Sequence, residues 1–356
     1  MSAPSRPTPS GQAPSKPAPG PTPAGATRGF RLPRTGLAQL AAFAVILLVN
    51  WSVSPQFFDV RLQDGRLFGS VVDVFNRGAP VALLSIGMVL VIATRGIDLS
   101  VGAVMAIAGA IAASLADSQP VAVCLAAALA AGALCGLWNG FLVSVFRIQP
   151  IVATLILMVA GRGIAQLITE GRIVTFTSPG LAGLGSGAFL GVPMPVVLTA
   201  VMLLLTLALV RGTALGLLVE ATGANARASR LAGIDTRATT IAVYVWCSLC
   251  AALAGVVAAA DIRGADANNA GLWLELDAIL AVVIGGTSLF GGRFSIVLAV
   301  VGALIIQAMN TGILLSGYRP ELNLVVKAVV VLAVLLLQSP KLGALRGFLA
   351  ARRART

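Results

Sequence analysis

Val89-Leu-Val-Ile-Ala-Thr-Arg-Gly-Ile-Asp-Leu-Ser-Val-Gly-Ala-Val104 sets Arg95, Asp98 and two glycines, Gly96 and Gly102, inside an otherwise apolar run. From Gly78 to Ala116 the chain is largely apolar apart from this interruption. One straight helix of that length would run roughly 58 Å, about twice the hydrocarbon core of a bilayer. The run must therefore fold back at the break. Short spans interrupted by glycine, with ionisable residues at the interruption, mark transport paths in membrane proteins.

Composition extends that reading to the whole chain. With 58% apolar and only 11% charged residues over 356 positions, and a mean hydropathy of +0.95, this is a polytopic membrane protein. The net charge of +12 does not signal nucleic acid, because no segment clusters basic with aromatic residues. The chain has no histidine, which excludes imidazole proton relays and imidazole metal sites. Cys247 and Cys250 form a C-x-x-C inside the apolar stretch Thr239 to Ala260. There a thiolate would be costly, so packing is their expected role.

Residues 1–36 are rich in Pro, Ser, Ala and Gly and lack acids, and are expected to form a disordered cytoplasmic tail. The run from Leu37 to Val49 is signal-peptide-like in length, but the long tail before it and the many spans after it favour a transmembrane segment. Apolar windows place ten helices at about 37–54, 78–94, 99–116, 119–146, 150–169, 193–210, 238–259, 275–291, 294–315 and 320–338. Residues 37–338 then form the transmembrane domain, with a long polar loop at 211–237, and 339–356 a basic cytoplasmic tail. Most of the 25 basic residues fall on the side of the N-terminus, which sets both termini in the cytoplasm. The expected fold is all-α and polytopic. A weak echo links the Arg95 break to Val283-Ile-Gly-Gly-Thr-Ser-Leu-Phe-Gly-Gly, each a helix, a glycine-bearing polar break and a second helix.

No lysine completes a P-loop, so energy from ATP would have to come from another polypeptide. Within the loop, Ala221, Ala224, Ala228, Leu231 and Ala232 recur near helical spacing, with Arg227 and Arg230 on the polar face. Such a short helix suits docking to a partner, while composition alone favours one lying on anionic headgroups. Intramembrane polar residues are candidates for a substrate path: Asn139, Gln166, Gln307 and Asn310, and in the segment Asp261 to Asp277 Asn268, Asn269, Trp273 and Glu275. Amides and carboxylates beside an aromatic plane suit a neutral sugar. For each residue taken singly, hydrogen bonding between helices is the commoner role. Arg162 and Lys327 need partners if buried, and Asp98 and Glu275 are the expected ones. An ion-coupled secondary transporter using Asp98 or Glu275 remains an alternative on these residues.

Three segments carry a resemblance: Gly96-Ile-Asp-Leu-Ser-Val-Gly102, Glu220-Ala-Thr-Gly-Ala-Asn-Ala-Arg-Ala-Ser-Arg-Leu-Ala-Gly-Ile234 and Ile284-Gly-Gly-Thr-Ser-Leu-Phe-Gly-Gly-Arg293. Over about residues 37–338 the chain resembles the permease subunits of ribose-type bacterial ABC sugar importers. Ala259 to Ile279 and Leu62 to Ser70 are similar, more narrowly, to the branch that imports galactofuranose. The resemblance implies a multi-pass protein of the bacterial inner membrane that moves a sugar inward and catalyses no bond chemistry. It implies a cytosolic ATP-binding subunit, a periplasmic sugar-binding protein and a second permease copy or sister permease as partners, besides the bilayer. No cofactor or metal is implied on this chain, since ATP and Mg²⁺ belong to the ATPase. The resemblance turns the polar loop into the ATPase-coupling element, on Glu220, Gly223, Asn225, Arg227, Arg230 and Gly233. Arg95, Gly96, Asp98, Ser100 and Gly102, with Gly285 and Gly286 at the echo, are then expected to form a gate or pivot. At helical spacing across the break, Arg95 and Asp98 are expected to pair, and Asp98→Asn to impair transport more than sugar preference.

Overall fold

The computed structural model describes residues 34–63, 65–317, 324–329 and 332. The expected tails at 1–33 and 339–356, and most of the tenth helical window at 320–338, lie outside the described residues. Eleven helices are described: α1 (Arg34–Val53), α2 (Ser70–Ala93), α3 (Val101–Leu115), α4 (Val121–Ser144), α5 (Pro150–Ile168), α6 (Pro179–Ser186), α7 (Met194–Gly212), α8 (Leu215–Leu231), α9 (Thr236–Asp261), α10 (Leu274–Ile284) and α11 (Ile296–Leu315). Residues 324–329 are also helical. Seven of these, α1, α2, α4, α5, α7, α9 and α11, are long and apolar enough to cross a bilayer. Three small antiparallel pairs join β1 (Arg61–Gln63) to β2 (Arg66–Phe68), β3 (Val174–Thr175) to β6 (Gly264–Ala265), and β4 (Ala188–Phe189) to β5 (Val192–Pro193). All of these pairs sit at the end of the bundle opposite α8.

The buried centre is α9, packed by α2, α3 and α4. Lipid tails are as apolar as leucine, so helices in a membrane gain by close backbone approach rather than by hydrophobic burial. The sequence supplies that approach at four-residue intervals on α4. A Cβ on Gly132, Gly136 or Gly140 would come within 2.6, 2.6 and 2.8 Å of Ala252, Val245 and Ile241 on α9. Gly87 of α2 meets Cys247 the same way, at 2.6 Å. Cys247 and Cys250 are buried free thiols in this seam, as the C-x-x-C reading expects.

Two expected boundaries are corrected. Helix α2 begins at Ser70 and not at 78, because Asp73, Asn76 and Arg77, which end the apolar window, still fit its first turns, where an acid complements the positive helix terminus. Helix α10 ends at Ile284 rather than 291. There Thr287 N–H reaches Val282 O and Gly286 N–H reaches Val283 O, with Gly286 at φ +86°. That is the Schellman stop, which needs a left-handed residue just past the helix.

Candidate functional site

Helix α2 stops by the same device as α10. Gly96 N–H donates to Val91 O and Arg95 N–H to Ile92 O, both at 2.9 Å. The left-handed position is held by Arg95, at φ +67°, where glycine would be the unstrained choice. Such a conformation persists in a non-glycine residue only where its surroundings fix it. Here the side chain supplies the reason. Arg95 Nε donates to Gly223 O at 2.5 Å and a terminal nitrogen to Ala224 O at 2.6 Å, both on α8.

The third glycine-bearing segment arrives at the same place. Gly292 N–H donates to Ala93 O at 2.9 Å, and Gly291 lies against the Arg95 stem and the carbonyls of Ala93 and Gly223. A Cβ on Gly223 would fall on Ala93 O and within 2.7 Å of Gly292 N. Only glycine lets the three backbones meet. The α2–α3 break, helix α8 and the α10–α11 loop therefore form one node, and the weak sequence echo corresponds to two helices with the same stop whose loops touch. Gly285 backs this node by packing on Leu298 of α11, and Gly286 faces the Gln39 side chain of α1.

Helix α8 is two helices merged at Asn225, whose backbone (φ −159°, ψ 95°) is not helical. Asn225 Oδ1 accepts from Arg227 N–H and Ala228 N–H, so this residue caps the second segment. Gly233, at φ +85°, ends it with another Schellman stop through Ile234 N–H to Ser229 O. Ala224, Asn225, Arg227, Arg230 and Leu231 are exposed, Leu231 at 85%. Glu220 is half-buried on the other side, beside Arg211 and the Phe294–Val297 start of α11. The arrangement is a short kinked helix, anchored from behind by Arg95 and presenting a basic face with one large apolar residue.

The expected Arg95–Asp98 pair does not form, because Arg95 turns to the α8 carbonyls. Asp98 is fully buried, and its Oδ1 accepts from Ser100 N–H at 2.9 Å, Ser100 Oγ at 2.6 Å and Asn139 Nδ2 at 3.4 Å. Asn139, on α4, also donates to Ser100 Oγ at 2.8 Å. Thr154 of α5 holds the other side of the loop, accepting from Leu99 N–H and donating to Ile97 O. Gly96 packs on the Tyr244 hydroxyl of α9. Thr154 and Tyr244 were not legible in the sequence as neighbours of this break, since neither interrupts an apolar pattern.

Gly102 belongs to a second cluster, one turn further into α3. It lies against Gly271 and against the Glu275 carboxylate, with Arg162 of α5 alongside. Arg162 donates to the carbonyls of Ala267 and Ala270, and thereby draws the Asp266–Trp273 loop down between α3 and α5. In that loop Asp266 accepts from Asn268 N–H, Asn269 N–H and Asn269 Nδ2, bonds that hold its carboxyl below the usual carboxylate range. Gln166 reaches Asn268 at 2.8 Å. Trp273 sits at φ +66°, 63% exposed, just before α10.

Lys327 has neither expected partner. It pairs with Asp277 at 2.8 Å, both side chains mostly buried. Glu275, two residues earlier on α10, meets different neighbours, with its carboxylate against Gly102 and Arg162 alongside. Gln307 and Asn310 share a face of α11 at 3.5 Å and lie apart from the rest, with Gln307 against Gly78 of α2. The path candidates thus divide into three groups: Asn139 at the break, residues 166 to 275 under the loop, and the α11 pair.

Next to the loop group is a cavity of about 350 Å³. Its floor is Met105, Gly109 and Gly255, and its polar groups are Asn76, Arg77, Asp261, Asp266 and Asn269. Of the sequence candidates only Asn269 lines it. Asn76 Oδ1 is buried there without a partner. An apolar floor with a few convergent amides and carboxylates is the chemistry of a small polyol site.

The family model described as branched-chain amino acid transport system / permease component matches residues 70–335. The galactofuranose transporter permease protein YtfT of Escherichia coli (strain K12) is 63% identical over 315 residues, 88% of this chain and 92% of that protein. The fructose import permease protein FruF of Bifidobacterium longum is 40% identical over 323 residues, 88% of this chain and 90% of its own. The ribose import permease protein RbsC of Escherichia coli (strain K12) is 39% identical over 307 residues, 85% and 93%. No solved structure matches the chain.

Proposed function

Because this chain belongs to the branched-chain amino acid transport system / permease component family, as a multi-pass inner-membrane permease subunit of an ABC sugar importer, we propose that its cargo is galactofuranose, carried from periplasm to cytoplasm. The 63% identity to a galactofuranose permease supports that sugar over ribose and fructose, whose permeases stand near 40%. The cavity with its apolar floor and its amides and carboxylates supports a neutral polyol. In this reading there are ten spans, both termini are cytoplasmic, and the end of the bundle bearing α8 faces the cytosol.

One observation carries the mechanism: Arg95 joins the α2–α3 break directly to α8. A cytosolic ATPase pressing on the exposed face of α8, at Arg227, Arg230 and Leu231, would move Gly223 and Ala224. Through Arg95 and the Gly292–Ala93 bond, the ends of α2 and α10 would move with them, a rigid-body switch of the kind that alternates access between two sides. A periplasmic sugar-binding protein would deliver the sugar, and a second permease copy or a sister subunit would complete the pore. ATP and Mg²⁺ are held by the ATPase alone.

Uptake by the reconstituted complex tests this. Glu220→Lys and Arg227→Glu are expected to abolish transport while leaving the permease in the membrane, and Arg227→Glu to weaken ATPase capture. Normal uptake with undiminished ATPase binding in both variants would remove α8 from the coupling path. Sugar identity is tested on the cognate binding protein, expected to select galactofuranose over ribose and fructose. Selection of an amino acid would overturn the sugar reading.

A further inference from the structure

The break holds a carboxyl group whose surroundings do not suit an anion. Asp98 is completely buried, and no arginine or lysine pairs with it among the described residues. Arg95, three residues before it, is committed to the α8 carbonyls. The titratable groups nearest it on the packed helices are Tyr244 and Cys247 of α9 and Cys135 of α4, none of them a cation at neutral pH. An isolated buried carboxylate is strongly disfavoured unless paired, and the usual resolution is to take up a proton.

The hydrogen bonds say where that proton would go. All three donors to Asp98 converge on Oδ1, and Oδ2 has no partner. On α4, Asn139 donates through Nδ2 to that same Oδ1 and to Ser100, while its own Oδ1 is also buried without a partner. Two acceptor oxygens, on two planar groups already joined through their other atoms, are one hydrogen short. A single proton on Asp98 Oδ2 satisfies both, closing the two-point ring by which a carboxylic acid pairs with an amide. The α3 N-terminus and the three donors to Oδ1 favour negative charge at Asp98, but complete burial without a cation opposes it, and neither gives Oδ2 or Asn139 Oδ1 a partner. A monovalent cation would need several more oxygens than these two supply.

We propose that Asp98 is a neutral carboxylic acid, donating its proton to Asn139 Oδ1 and so locking the α2–α3 break to α4 as an uncharged latch. Asp98 and Asn139 are positioning residues, which fix the loop that Arg95 ties to α8. The contact that holds the gate to α4 then carries no charge of its own, and Arg95 is left as the charged side chain of the break. The proposal rests on the permease reading only for the word gate; the protonation state is a property of the folded chain.

Difference infrared spectroscopy on the purified full-length permease labelled with ¹³C-carboxyl aspartate tests it directly. At neutral pH an isotope-shifted protonated-acid C=O band is expected, retained in Asp277→Asn and absent in Asp98→Asn. A wild-type spectrum with only carboxylate aspartate bands would overturn the proposal even if no variant accumulated. Uptake supplies the second arm. Asp98→Asn can form the same two-point ring as an amide pair, so transport within about threefold of wild type is expected, while Asp98→Ala and Asn139→Leu, each of which strands a buried polar partner, should lose roughly tenfold or more. Loss of uptake in Asp98→Asn at normal membrane levels would show that the charge is needed and would refute the latch. Near-normal uptake in Asp98→Asn is the reverse of the impairment expected from an Arg95 pair.

Discussion

Gly223→Ala adds one methyl group at the point where three segments meet. The new Cβ would fall on Ala93 O and come within 2.7 Å of Gly292 N, both backbone atoms that cannot rotate away. Helix α8 must then withdraw from the ends of α2 and of the α10–α11 loop by more than about an ångström, and overpacking of this kind costs about 1–3 kcal/mol. Withdrawal strains the Arg95 bonds to Gly223 and Ala224 at 2.5 and 2.6 Å, and any shift of Ala93 or Gly292 to admit the methyl strains the bond between those two at 2.9 Å. A neutral hydrogen bond contributes about 1 kcal/mol net and one from a charged group about 1.5–3. Because Arg95 is exposed enough to regain water, only part of its share is lost. The total is about 3–5 kcal/mol at the node, which at about 1.4 kcal/mol per tenfold corresponds to at least a 100-fold loss of coupled transport. The assay is sugar uptake and ATP hydrolysis by the complex in proteoliposomes, with membrane level measured alongside. Hydrolysis should persist without transport, since the exposed face of α8 is untouched. Gly163→Ala, where a Cβ meets nothing within 4 Å, should transport normally. Uptake by Gly223→Ala within twofold of wild type would refute the claim that these backbones must touch for α8 to drive the break.

Two other outcomes follow from the charged groups. Lys327→Met leaves Asp277 mostly buried without its cation, which for a broken buried pair costs about 3–5 kcal/mol; the thermal midpoint in detergent should fall sharply, and the double variant with Asp277→Leu should recover much of it. Equal midpoints for single and double variants would show that the pair is not coupled. Asp117, outside the spans, accepts from Thr177 N–H, Thr177 Oγ1 and Ser178 N–H at the start of α6, which lowers its pKa below that of a free aspartate. A depressed pKa means protection that is present above the free-aspartate value and lost as pH falls through the folded value. Protection factors of the Thr177 and Ser178 amides, taken against their intrinsic rates at each pH, should fall in that window, and Asp117→Asn should show low protection at neutral pH; full protection in that variant would contradict the assignment.

Membrane class, the main apolar helices and the three segments that matter were all legible in the sequence, because each is encoded locally. Lipid demands apolar spans, and a glycine or charge inside a span stands out against them. Residues 220–234 read correctly as a helical element, and the Arg95 break read correctly as a fold-back. Pairing was not legible. Arg95 and Asp98, at helical spacing, diverge because the Schellman stop points one outward to α8 and leaves the other facing α4, a choice made by neighbours more than a hundred residues away for Arg95. Lys327 found Asp277 rather than Glu275, since the face of α10 that each helix meets is set by packing. The same holds for Tyr244 and Thr154, ordinary residues in their own segments, which became part of the break only when the helices closed around it. Sequence fixes which backbones can approach, through glycines and helix stops; the tertiary structure alone decides which partner each buried polar group meets, because that depends on contacts between segments that no local pattern records.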